Sequence, residues 1–105
     1  MANKYGNIKT VTSDGIKHDS IKEANRWCEL KLLERVGRIQ DLQRQVKYEL
    51  IPKQEGERAV FYIADFVYTE NGKKVVEDAK GCRTEVYKLK KKMMLYFHGI
   101  KIKET

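Results

Sequence analysis

Asp65 lies in "YIADFVY", and Asp78 and Lys80 lie in "VVEDAKG". Both stretches read as strands, because β-branched and aromatic residues dominate them. Between them "TENGKK" carries Asn71-Gly72, the strongest short-range hairpin signal. With Asn71 and Gly72 as the turn pair, Glu70 faces Lys73, and the same register places Asp65 opposite Asp78. Carboxylates at facing positions, with Cβ atoms about 4.5–5.5 Å apart, destabilise a sheet. Lys80 follows Asp78 by two residues and shares its face, whereas Glu77 and Phe66 point to the other face. A divalent cation would neutralise the pair. Mg²⁺ takes oxygen ligands, keeps several waters, and is held by one or two carboxylates plus substrate phosphate. A neighbouring lysine can then orient or deprotonate a metal-bound water, or stabilise charge on phosphate. Two acids and a lysine on one face therefore suit hydrolysis of a phosphodiester. The plainer alternative is an exposed edge pair, Asp78 and Lys80, with Asp65 neutralised by the same lysine.

The elements that must position these residues follow from periodicity and capping. "IKTVTSDGIKHDS" predicts a small hairpin turning at Asp14-Gly15. A helix follows in "SIKEANRWCELKLLERVG", with Ser20 as N-cap, Glu23 completing a capping box, and Gly37 at the C-terminal cap. Its expected inward stripe is Ile21, Ala24, Cys28 and Leu32, widened by Trp27 and Val36. Val46, Tyr48 and Leu50 alternate with charged residues in a strand that Pro52 ends. The two central strands come next. A second helix runs from Thr84 to Gly99, with Val86, Leu89/Lys90, Met93 and Phe97 expected along its inner side. "IKIKE" alternates as a short last strand. The sum is an α/β chain: an αβββαβ core with a mixed central sheet, preceded by a small N-terminal hairpin.

At 105 residues the chain can bury one modest core, so residues 1–105 form a single domain. Its longest mostly apolar stretch, "AVFYIADFVY", is too short to span a membrane and contains Asp65. "MANKYGNIKT" lacks the apolar core of a signal peptide, which predicts a cytoplasmic protein. Cys28 and Cys82 show no metal-ligand spacing, and free thiols are expected. Net charge is +7, and it is concentrated: from Arg83 to Lys103 seven basic residues face one acid, Glu85. A polyanion, most commonly nucleic acid, is the natural partner, and a solvated helix face is the bland alternative. On the second helix Lys88, Lys91 and Lys92 fall to one side and are expected to contact phosphates, together with Arg83. Lys90 lies nearer the apolar stripe.

In order, "YIADFVY…VVEDAKG" resembles the PD-(D/E)xK nuclease superfamily: an acid on one strand of a hairpin, then acid-x-lysine on the next. The αβββαβ order is similar to that superfamily's restriction-endonuclease-like core. With "DGIKHDSIKEA", "LQRQVKYELIP" and "VEDAKG" taken together, the chain looks like a family of small phage-encoded proteins assigned to it, over nearly the whole length. It departs in having Ala64 where the proline that names the superfamily would stand. The resemblance implies that Asp65 and Asp78 bind Mg²⁺, for which Mn²⁺ would substitute, and that Asp78 and Lys80 form the acid-x-lysine pair. It also implies that Glu23 is a further metal or water ligand, a position that capping alone explains equally well.

Other residues carry weaker signals. Gln45, in "LQRQVKY", is expected at the mouth of a strand, touching nucleic acid or merely closing the strand end. His18, ahead of the first helix, reads as a surface residue with a general-base alternative. Tyr62, Tyr68 and Tyr87 are half-buried sheet or helix residues, or base-stacking platforms. No glycine-rich phosphate loop, Cys/His spacing or Ser/His/Asp set supports a kinase, a zinc module or a serine hydrolase. The expected function is a Mg²⁺-dependent DNA endonuclease, phage-encoded and acting in the host cytoplasm, either cutting branches or junctions as a homodimer or nicking. The rival is a noncatalytic nucleic-acid-binding module on the same fold.

Overall fold

A computed structural model describes residues 9–79 and 83–105. The elements run β1 (Thr10–Val11), β2 (Lys17–His18), α1 (Ile21–Arg35), β3 (Gln40–Ile51), β4 (Val60–Glu70), β5 (Lys73–Asp78), α2 (Glu85–His98) and β6 (Lys103–Glu104). β1 and β2 make the small antiparallel hairpin. The other strands form one mixed sheet in the order β3-β4-β5-β6, antiparallel except for the parallel β5–β6 pair. The chain is thus α/β, in the expected element order. None of its helices is long and apolar enough to cross a membrane, among the described residues.

The β4–β5 turn forms as the Asn-Gly pair dictates. Asn71 (φ 54°) and Gly72 (φ 75°) are both left-handed, the geometry of the tight turn whose twist matches the strands. Glu70 faces Lys73, and the register continues to Phe66–Glu77. Val75 and Val76, adjacent on β5, belong to two different core clusters, one on each face of the sheet. Trp27 and Leu30 of α1 pack with Phe66, Tyr68 and Ala79 on one face. Tyr87 and Met94 of α2 pack with Leu50, Tyr62, Ala64 and Ile102 on the other.

Both helices carry N-caps, at Ser20 as predicted and at Thr84. Ser20 Oγ accepts the Glu23 N–H at 3.0 Å, and Thr84 Oγ1 accepts the Tyr87 N–H at 3.1 Å. Their inward faces differ from the apolar stripes. On α1 the buried residues are Glu23, Ala24, Trp27 and Leu30, while Ile21, Leu32 and Val36 are exposed and so is Cys28, a free thiol. On α2 Tyr87 and Met94 point inward, while Val86, Leu89 and Phe97 face solvent. The reason is polar anchoring. Glu23 reaches β3 residues, Trp27 Nε1 donates to Asp14 Oδ2 at 2.7 Å, Glu34 accepts the Leu42 N–H at 2.9 Å, and His98 Nε2 donates to the Glu49 carbonyl at 2.7 Å. These bonds rotate each helix away from the face its aliphatic residues alone would choose.

Candidate functional site

Asp65 lies inside β4, and Asp78 ends β5. Tyr62 and Ala64 of β4 belong to the α2-side core, yet Phe66 and Tyr68, of the same parity, belong to the α1-side core. Leu42 and Val46 on β3 show the same exchange. The β3–β4 register is unchanged across it, with Arg44 facing Phe66 and Val46 facing Ala64. Both strands therefore turn over together at the intervening pair, Gln45 and Asp65. Gln45 has φ 55°, a left-handed backbone that a residue with a Cβ adopts only at a cost of about 1 kcal/mol or more.

Asp65 and Asp78 are both buried, at 4% and 0% exposed. The antiparallel ladder stops at Phe66–Glu77, one step short of a direct Asp65–Asp78 pair. Beyond it the Ala79 N–H donates to Asp65 Oδ2 at 2.8 Å, and the Tyr62 hydroxyl donates to Asp78 Oδ2 at 2.8 Å. The facing charges expected from the register are thus accommodated by separate donors. Both carboxylates act on one group: burial, then the charge of Asp78 and, more weakly, that of Asp65, push the Tyr62 hydroxyl well above its ordinary range. Lys80 lies outside the described residues.

Glu23 arrives from α1 and is 5% exposed. Gln45 Nε2 donates to its Oε1 at 3.1 Å, and Arg44 Nη2 and His18 Nδ1 each lie 3.8 Å from the same oxygen. The Glu23 N–H closes the cap on Ser20 Oγ, while its carboxylate turns inward to Gln45, the residue facing Asp65. Gln45 is not at a strand mouth. It lies inside β3 and binds Glu23. His18 is not a surface residue either. It is fully buried, with Nε2 3.2 Å from Thr12 Oγ1, and burial followed by the nearby Arg44 charge lowers its pKa, keeping it neutral.

Glu77 faces away from Asp78, as alternation requires. Fully buried, it accepts Arg26 Nε at 2.5 Å, Arg26 Nη2 at 3.1 Å, Tyr68 Oη at 2.6 Å and Thr105 Oγ1 at 3.1 Å. Burial pushes its pKa up, but Arg26 and Tyr68 outweigh burial and hold it below the usual carboxylate range. This is a structural ion pair with a complete set of donors. Tyr62, Tyr68 and Tyr87 are buried and bonded to Asp78, Glu77 and Glu104, so their rings are not open stacking platforms.

The expected phosphate-contacting residues divide. Arg83 Nε and Lys91 Nζ both bind Glu104, at 2.8 and 3.0 Å, and Lys88 Nζ lies 3.3 Å from Glu85. Lys92 is exposed, and Lys90 is half-buried, as its place beside the packed face predicts.

Asp65 and Asp78 offer hard oxygen donors in a desolvated setting, which fits Mg²⁺. Among the described residues no three His, Cys, Asp or Glu side chains are gathered closely enough to share a metal ion. Glu23 is bonded to Gln45 and is not gathered with the aspartate pair into such a cluster.

No curated protein and no solved structure matches the chain. A family model described as "Protein of unknown function (DUF1064)" matches residues 2–104, and the chain belongs to that family.

Proposed function

We propose that this protein is a Mg²⁺-dependent DNA endonuclease with the restriction-endonuclease-like core of the PD-(D/E)xK superfamily. The supporting observation is a pair of buried carboxylates beside the point where β3 and β4 exchange faces: Asp78 accepts from the Tyr62 hydroxyl, and Asp65 accepts the N–H of Ala79, the residue next to Asp78. Backbone irregularity of this kind is characteristic of functional sites, where surrounding structure holds the strain. In this reading Asp65 and Asp78 hold the ion. When bound, Mg²⁺ or Mn²⁺ would supply an activated water and neutralise charge on the phosphate. Tyr62 fixes the Asp78 carboxylate, and the Ala79 N–H fixes that of Asp65. Gln45 holds Glu23, which in this reading would orient water. Lys80 would stabilise developing charge on the phosphate or hold the attacking water. The basic segment beginning at Arg83 supplies affinity for the DNA backbone.

A phage-encoded enzyme acting in its host's cytoplasm, as a branch- or junction-cutting homodimer or as a nicking enzyme, fits the basic charge and small size. The second reading is a noncatalytic nucleic-acid-binding module, favoured by the lack of a three-ligand metal cluster among the described residues. Incubation with Mg²⁺ or Mn²⁺ and duplex, single-stranded, flap and four-way DNA separates the two. The nuclease reading expects cleavage of at least one substrate that stops with chelator. Binding to all of them without cleavage would establish the module instead.

A further inference from the structure

On β6, Glu104 collects three donors. Arg83 Nε and Tyr87 Oη both reach its Oε2 at 2.8 Å, and Lys91 Nζ reaches its Oε1 at 3.0 Å. The three donors come from the loop before α2 and from the first two turns of the helix. Between them they carry two positive charges and converge on one carboxylate. They lie one strand from the candidate site: Glu104 faces Asp78 in the parallel β5–β6 register, and the Thr105 N–H donates to the Asp78 carbonyl at 3.0 Å. Tyr87 and Tyr62, which bind Glu104 and Asp78 respectively, have ring centroids 6.4 Å apart. The cluster is reachable, since the side chains of Arg83, Lys91 and Glu104 are 30%, 38% and 28% exposed.

A guanidinium, an ammonium and a phenol converging on a pair of anionic oxygens are the donors that bind phosphate. We propose that Arg83, Tyr87 and Lys91 form a phosphate subsite, and that Glu104 occupies it in the free protein as an internal stand-in for a backbone phosphate next to the one attacked. This rests on the nuclease reading for its ligand, and deepens it by adding a gate. The carboxylate remains ionised through the working pH range, because Tyr87 and Lys91, with Arg83 behind them, hold its pKa down at about 2. An incoming phosphodiester must therefore displace Glu104 by side-chain rotation, while β6 stays paired to β5 and Ile102 stays buried. Competition from the tethered carboxylate weakens DNA binding and rejects anions that cannot replace all three bonds.

The test is metal-free binding of a short DNA duplex, and separately of inorganic pyrophosphate, to four proteins: wild type, Glu104→Gln, Arg83→Ala, and the double variant. Glu55→Gln serves as the charge control, because Glu55 is exposed in the connection between β3 and β4. Glu104→Gln should tighten duplex binding on the order of fivefold, as partly exposed ion pairs stop competing, and Glu55→Gln should change it less than twofold. Arg83→Ala should cost little in wild type and abolish the gain in the Glu104→Gln background. Melting curves in the same buffer identify any variant that fails to fold, and Glu104→Ala then takes the place of Glu104→Gln. Equal gains from Glu104→Gln and Glu55→Gln would overturn the subsite, since only long-range charge would then matter. So would additive effects of Arg83→Ala and Glu104→Gln. A gain for pyrophosphate with no duplex binding by any variant would keep the phosphate subsite and defeat the DNA reading.

Discussion

Replacing Arg26 by Met should be among the most damaging single changes in the protein, and should act on stability rather than chemistry. Arg26 supplies two of the hydrogen bonds to the fully buried Glu77, and only Tyr68 and Thr105 would remain. Removing one partner of a buried pair leaves an uncompensated charge and costs about 3–5 kcal/mol, a large share of the roughly 5–15 kcal/mol that holds a domain folded. Tm should fall by at least about 10 °C for a chain of this size. The pH dependence has a definite sign. In the wild type the Glu77 pKa is lowered on folding, so its contribution is present above the ordinary carboxylate value and is lost as pH falls through the folded value. In Arg26→Met burial acts without the guanidinium and raises that pKa, so the variant loses stability as pH rises. The gap between the two proteins should widen from about pH 4 to about pH 7. Adding Glu77→Gln to Arg26→Met should restore at least half of the loss, because a neutral amide needs no cation. Denaturant unfolding of the three proteins at both pH values measures this. A loss below about 1 kcal/mol, or a double variant no better than Arg26→Met, would refute the ion pair as a buried structural element.

Glu23→Gln preserves the N–H that caps α1, so its stability should stay within about 1 kcal/mol of wild type while cleavage falls more than tenfold; unchanged cleavage rates would reduce Glu23 to a capping residue. Lys80→Ala should lower the cleavage rate far more than metal affinity, because an ammonium is not a metal ligand; calorimetry showing metal binding abolished along with the lysine would contradict that role. Alanine at both Lys88 and Lys92 should reduce the slope of log affinity against log salt by about 0.9 for each phosphate that the protein no longer neutralises, and a wild-type slope would mark these lysines as solvated only.

How far the sequence determines this structure varies by residue type. Asn71-Gly72 left one tight turn open to the chain, and the β4–β5 register followed from it to the last paired residues. Ser20, Thr84 and Gly99 set helix ends through side chains or backbone freedom that act locally. The alternation that aims Glu77 away from Asp78 is equally local. The helix faces were not legible, because Glu23 and Glu34 on α1, and Tyr87 and His98 on α2, take positions that an apolar stripe would assign to solvent. Their partners lie on distant strands. The face exchange at Gln45 and Asp65 was hidden for a related reason: glutamine carries no sign that its backbone is left-handed, as a glycine would. His18 is buried by the hairpin's docking on α1 through Asp14 and Trp27, a tertiary interaction with no local signature. Rules of local periodicity failed most at the candidate site itself, where strained backbone and buried polar groups are commonest.

Cleavage assays on Asp65→Asn and Asp78→Asn, run beside metal-free DNA binding by the same proteins, test the central claim most directly. Both substitutions keep the side-chain shape and the oxygen that accepts from Ala79 or Tyr62. The aspartate pair as metal site predicts that wild type cuts DNA only with Mg²⁺ or Mn²⁺, that each variant loses cutting, and that DNA affinity without metal stays within about twofold. Cutting by either variant at the wild-type rate, or cutting by wild type in the presence of chelator, would contradict it.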